Sequence, residues 1–138
     1  MTTSLRTSNI ETAKRFLTAV EAMDGSGLDG FFAPDIKQIE FPNAFKPQGD
    51  VRNLAALKVA LEKAKGIIDG QHYEVTKTLA DETSIMFEMI WTGTMAIDIP
   101  PLKAGQNLRA NCIAVFDFED GKVTSLRNYD CFEPFSKG

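Results

Sequence analysis

Hydrophobic positions recur along this chain at two periods, about 3.6 residues in the first half and two in the second. Ile10, Ala13, Phe16, Leu17 and Val20 fall at helical spacing and predict one buried stripe on a helix running to about Met23. Ser8-Asn-Ile-Glu11 has the form of a capping box, with Ser8 as N-cap and Glu11 at the third helical position. Gly25-Ser-Gly27 breaks this helix, and a short helix from Leu28 to Phe32 stops at Ala33-Pro34. Ile36 to Phe41 alternates as a strand, with Ile39 and Phe41 on one face, until Pro42 ends it. Asn43 to Val51, carrying Pro47 and Gly49, reads as a loop. Asn53 to Lys65 reads as a second long helix that buries Leu54, Leu57 and Leu61, closed by Gly66 to Gly70.

From there the period is two. Tyr73 to Leu79, Ser84 to Ile97 and the two arms of a long terminal hairpin read as four strands. Ile99-Pro-Pro-Leu-Lys-Ala-Gly105 is a loop, because two adjacent prolines cannot donate to a ladder. Helices first and antiparallel strands last predict an α+β domain spanning residues 1–138, with the helices against one face of a curved sheet. The chain shows no internal repeat and no low-complexity segment.

The hairpin turn, Glu119-Asp-Gly-Lys122, decides which side chains share a face. A two-residue turn at Asp120-Gly121 pairs Glu119 with Lys122 and puts Arg127 and Tyr129 on the face of Ala114 and Cys112. A three-residue turn with Gly121 in a left-handed bulge position pairs Phe118 with Lys122 instead. Asn128 and Asp130 then join Ala110, Cys112, Ala114 and Phe116 on one largely apolar face whose centre is made of small residues. The second register is favoured. It makes a recess with two polar groups on its wall, and it sends Cys112 and Cys131 to opposite faces, where no disulfide can join them.

Composition narrows the function. At 138 residues, 43% hydrophobic and 25% charged, the chain can bury a core of ordinary size. A formal charge of −4 with no basic run argues against nucleic acid as a partner. Neither a signal-peptide core nor a membrane-length apolar run is present, and two cysteines do not make a disulfide framework. The expected location is the cytoplasm. His72, the single histidine, has no ligand-spaced companions and reads as a surface residue; no zinc site, phosphate-binding loop or Ser-His-Asp arrangement is arguable. No cofactor and no metal are expected.

The element order, with Phe31-Phe-Ala-Pro-Asp35, Ile39-Glu-Phe-Pro42, Phe87-Glu-Met-Ile-Trp-Thr-Gly93, Phe116-Asp-Phe-Glu-Asp-Gly-Lys-Val123 and Arg127-Asn-Tyr129, resembles the nuclear transport factor two-like fold. Within that fold the chain is similar to the SnoaL-like polyketide cyclases and the ketosteroid isomerases. The resemblance runs from Phe16 to Phe132 and implies a cone, with N-terminal helices on the concave face of a strongly curved, mostly antiparallel sheet enclosing a pocket. It does not carry the isomerase chemistry over. The family's aspartate base falls at Phe41, its helical tyrosine at Phe16 and its protonated aspartate at Ala114, and none of these can shuttle a proton or stabilise an oxyanion. The epoxide hydrolases of the same fold fit no better: no Arg-x-Asp lies between Ser84 and Ile97, and Asn128 stands where their Arg-Asp-Tyr run has its aspartate.

What remains is Asp130, which on an apolar wall would have its proton affinity raised towards general-base range, with Asn128 beside it to hold a carbonyl or a water. SnoaL-like cyclases resemble this in using an acidic residue near the end of the last strand. Phe16, Val20, Phe41, Leu57, Met89, Trp91, Cys112, Ala114 and Phe116 are expected to line the recess, with Trp91 free to offer its indole N–H to a ligand. The expectation is a cofactor-independent isomerase, cyclase or hydratase for a small hydrophobic carbonyl compound; the alternative is a binding protein that does no chemistry. The blander readings place Asp130 at a solvated rim and fill the recess with packed side chains. Glu88, Arg109, Asn111, Asp117, Arg127 and Tyr129 would cover the outer sheet face, which in this fold often forms a homodimer interface; a solvated face laced with ion pairs is the rival reading.

Overall fold

The computed structural model describes residues 4–135. Its elements are α1 (Leu5–Glu21), a 3-10 turn at Leu28–Gly30, β1 (Phe32–Glu40), β2 (Asp50–Arg52), α2 (Leu54–Ala64), β3 (Ile68–Ala80), β4 (Ser84–Met95), β5 (Asn107–Glu119) and β6 (Lys122–Phe132). The six strands form one curved sheet in the order β2-β1-β6-β5-β4-β3. Only β1 and β6 run parallel; every other neighbouring pair is antiparallel. With both helices packed on this sheet, the fold is α+β, as the periodicities predict.

The N-cap of the first helix lies four residues before the expected one. Ser4, not Ser8, caps it, its side chain accepting from the Thr7 N–H. The reason lies outside the helix: Arg6 Nε donates to the Ala80 carbonyl at 3.1 Å and Asn9 Nδ2 to the Glu82 carbonyl at 3.1 Å. These bonds tie the first turn to the β3–β4 turn, a tertiary contact that a local capping pattern does not register. Asn53 caps α2 as expected, accepting from Ala56 N–H.

Strand boundaries move for similar reasons. The expected helix to Phe32 shortens to Leu28–Gly30, and Phe32 opens β1, whose ladder shifts register between Phe32 and Lys37, where Pro34 has no N–H to give. The expected loop Asn43–Val51 ends in β2, which pairs with β1 through Gln38↔Arg52 and Glu40↔Asp50. β3 begins at Ile68, five residues before the expected Tyr73.

Neither simple hairpin register is adopted whole. Asp120 and Gly121 both have positive φ, 52° and 79°, and form a two-residue turn with Glu119 opposite Lys122. Thr124 is then an extra residue: Phe118 pairs with Val123, but Asp117 pairs with Ser125. That one-residue bulge restores the parity of the three-residue turn, so that Ala114 faces Asn128 and Cys112 faces Asp130. The expectation of a bulge at Gly121 was wrong in position, and the face it assigned to Asn128 and Asp130 is the observed one.

Below the recess the core closes with aromatic edges. Phe16 packs against Phe32 and Phe116 at centroid distances of 5.1 and 5.8 Å, and Phe87 against Phe116 at 5.7 Å. Phe116 has no solvent-accessible surface and belongs to this floor, not to the recess wall where it was expected.

Candidate functional site

Two adjoining cavities of about 180 and 260 Å³ open between the helices and the inner sheet face. Both are lined by Glu40, Tyr73 and Asp130, which therefore mark the waist of one hollow. The first cavity adds Phe16, Val20, Leu57, Met89, Ala114 and Asn128 from the expected lining; the second adds Trp91 and Cys112. Small side chains at Ala114 and Cys112, both buried, leave room that β5 would otherwise fill.

Phe41 is not there. Strand alternation turns Ile36, Gln38 and Glu40 inward, so Phe41 projects to the other side and stacks on Tyr129 at 4.6 Å. In its place the hollow receives Gln38 and Glu40, two residues not anticipated from the sequence. Arg52 and Tyr73 were also missed. The buried Ile36 was the available signal for Gln38 and Glu40, since every second residue after it shares its face. Arg52 had no signal, because its strand was read as the end of a loop.

These polar groups form a directed network. Arg52 Nη1 donates to Gln38 Oε1 and to Glu40 Oε1, both at 3.0 Å. Gln38 Nε2 donates to Asn128 Oδ1 at 2.7 Å, and Asn43 Nδ2 donates to Glu40 Oε2 at 2.9 Å. Glu40 and Arg52 are an ion pair with side chains only 16% and 12% exposed. Trp91 is not free to serve a ligand: its indole N–H donates to Gln71 Oε1 at 2.8 Å, and Gln71 Nε2 is in turn tied to the Val20 carbonyl at 2.6 Å.

Asp130 differs from Glu40. Among the described residues it has no cationic partner, and burial is the main reason its proton affinity is raised; the Cys112 thiol, a weak donor beside it, pulls the other way, and the negative charge of Glu40 raises it further. The two carboxyl groups thus share a hollow in unlike settings, one clamped in an ion pair and one destabilised as an anion, the arrangement that separates acid–base roles. Burial, reinforced by Asp130, holds the Tyr73 phenol and the Cys112 thiol strongly towards their protonated forms, so Tyr73 is an O–H donor and Cys112 is no thiolate nucleophile.

A depression of about 690 Å³, larger than either cavity, lies elsewhere, outside β3–β5 beside Gly70, His72, Thr92, Thr94 and Arg109. Its side chains are largely committed to one another or to neighbours, His72 to Glu21 at 2.9 Å and Arg109 to Glu133 at 3.1 Å. Size alone does not make it the site. The outer face also carries the ion pair between Arg127 and Asp117 at 2.6 Å.

The pattern of the SnoaL-like domain family matches residues 13–126. The chain belongs to that family. Its fold is shared with a provisionally assigned polyketide cyclase from Xanthomonas campestris pv. campestris, 21% identical with a TM-score of 0.77 over 91% of this chain and 92% of that one. A nuclear transport factor two-like protein from Burkholderia xenovorans LB400 is 24% identical, with a TM-score of 0.71 over 91% and 90%. A SnoaL-like polyketide cyclase from Agrobacterium tumefaciens str. C58 is 15% identical, with a TM-score of 0.67 over 94% and 92%. At these identities the likeness establishes the SnoaL-like fold. No curated protein sequence matches the chain.

Proposed function

We propose that this SnoaL-like chain works as one unit carrying out cofactor-independent isomerisation, cyclisation or hydration of a small hydrophobic carbonyl compound. The observation that carries the reading is the position of Asp130, a largely buried carboxyl at the waist of the hollow with no cationic partner among the described residues. The substrate carbonyl oxygen accepts hydrogen bonds from Asn128 Nδ2 and the Tyr73 hydroxyl. Asp130 removes a proton from the adjacent carbon, the electron pair moves into the C–O bond as an enolate, and the protonated Asp130 returns the proton at a second carbon. Phe16, Val20, Leu57, Met89, Trp91, Cys112 and Ala114 supply the apolar contact that excludes water. The polyketide cyclase descriptions of the fold relatives support a carbonyl-rich substrate class.

Exchange of α-protons for deuterium in cyclohexanone, followed by NMR, tests the step directly. The protein should accelerate exchange, and Asp130→Asn should cost at least about 100-fold of that acceleration. Binding of cyclohexanone without accelerated exchange would favour the non-catalytic binding protein instead.

A second copy of the chain is proposed to cover the outer sheet face, where the Phe41–Tyr129 stack leaves Tyr129 41% exposed. Sedimentation should show a dimer that Tyr129→Glu converts to a monomer. The proposed compartment is the cytoplasm, consistent with Cys112 and Cys131 both being free thiols.

A further inference from the structure

Three groups at the waist and wall of the hollow retain hydrogen-bonding capacity: the Asp130 carboxyl, the Tyr73 hydroxyl and Asn128 Nδ2. The third is held by Gln38 and, through it, Arg52, which share the lining of the same cavity. A guanidinium has only donors, so the Gln38 atom that meets Arg52 at 3.0 Å is its oxygen. The other end of the Gln38 amide is then a donor, and the Asn128 atom it meets at 2.7 Å must be an acceptor, Oδ1. The Asn128 nitrogen is what remains. Among the described residues no group accepts from Asn128 Nδ2, and no buried side-chain nitrogen or oxygen is left without a partner. Nδ2 is therefore accessible, on a residue that lines the cavity.

We infer that the chain Arg52 to Gln38 to Asn128 fixes the polarity of the site, presenting an N–H donor to the ligand and selecting molecules that place a carbonyl or enolate oxygen there. Gln38 and Arg52 are positioning residues. Without them an asparagine amide can rotate by half a turn and offer either its oxygen or its nitrogen. With Arg52 at the head of the chain only one orientation keeps every bond. The same guanidinium also holds Glu40 at 3.0 Å, so a single cation fixes both the amide direction and the second carboxylate. This inference rests on the reading that the hollow is the ligand site, but it concerns recognition and needs no turnover.

The test compares two probes of one shape, cyclohexanone, which has an acceptor oxygen, and methylenecyclohexane, which has a CH₂ group in its place. Binding is followed by side-chain amide and backbone NMR shifts. The wild-type protein should prefer the ketone by about 10- to 100-fold, the range of two neutral hydrogen bonds, one from Asn128 Nδ2 and one from the Tyr73 hydroxyl. Gln38→Glu leaves an acceptor for Arg52 but puts a carboxylate oxygen against Asn128. Its amide must then turn, aiming Oδ1 into the hollow. The ketone preference should fall by at least about 3-fold, the share of the Asn128 donor, while hydrocarbon affinity stays within about two-fold. Gln38→Met, which adds no charge beside Glu40, should halve the preference or reduce it further by freeing the amide to rotate. Retention of the full wild-type preference in either folded variant, or no ketone preference in the wild type, overturns the inference. Asp130→Asn should keep the preference while losing proton exchange, which separates failure of this inference from failure of the catalytic reading.

Discussion

At the scale of single residues, the two aspartates Asp130 and Asp117 should push stability in opposite directions with pH. Asp130 is raised in the folded state, so its neutral form favours folding. The stability tied to it is fully present below the unfolded value of about 4 and falls as pH rises through the higher folded value. Asp117 is lowered, chiefly by the Arg127 hydrogen bond, so its contribution is present above about 4 and is lost as pH falls through the lower folded value. By calorimetry, Asp130→Asn should therefore raise Tm at pH 7 and leave it nearly unchanged at pH 3.5. Asp117→Asn should lower Tm at pH 7, with a loss of stability below about 1 kcal/mol because that pair is still partly exposed to solvent. Gly93 offers a third residue-scale test. A methyl group there would sit 2.5 and 2.6 Å from atoms of the Trp91 ring. Gly93→Ala should displace the indole, break its bond to Gln71 and cost about 1–3 kcal/mol; Trp91 is the only tryptophan, so its emission spectrum reports the shift.

At the scale of elements, the terminal hairpin explains both what the sequence makes legible and what it hides. Alternation along β5 and β6 marks the face shared by Ala110, Cys112, Ala114, Asn128 and Asp130, because burial of one face fixes register parity. The location of the bulge is hidden, since Thr124 carries no special residue chemistry and the Asp120-Gly121 pair satisfies a two-residue turn on its own. Helix stripes on α1 and α2 are legible for the same periodic reason. The start of α1 is not, being set by Arg6 and Asn9 reaching the β3–β4 turn. The resemblance sets Phe41 inward, at the place of the family's aspartate base, whereas β1 sends its polar alternates, Gln38 and Glu40, into the hollow, where Arg52 on β2 donates to both. Deleting Thr124 should be far worse than altering the turn. The deletion would turn fully buried Leu126 outward and bring Arg127 inward, so the variant should fail to show a folded NMR spectrum. Gly121→Ala, at φ 79°, should fold and lose only about 1–2 kcal/mol.

At the scale of the molecule, one curved sheet both builds the core and leaves a hollow. Large rings from Phe16, Phe32, Phe87 and Phe116 close the floor, and small residues further along β5 keep the space above it open. Among the described residues no helix is long and apolar enough to cross a membrane. Into that space the fold brings one carboxyl locked by a cation and one left alone, and the central claim is that this difference makes Asp130 the proton carrier. The most direct measurement is an NMR titration of the Asp130 side-chain carboxyl in the wild type and in Glu40→Gln. In the wild type the midpoint should lie clearly above the ordinary aspartate value of about 3.9, and it should move down when the Glu40 charge is removed. A wild-type midpoint at the ordinary value, indifferent to Glu40, would contradict that claim.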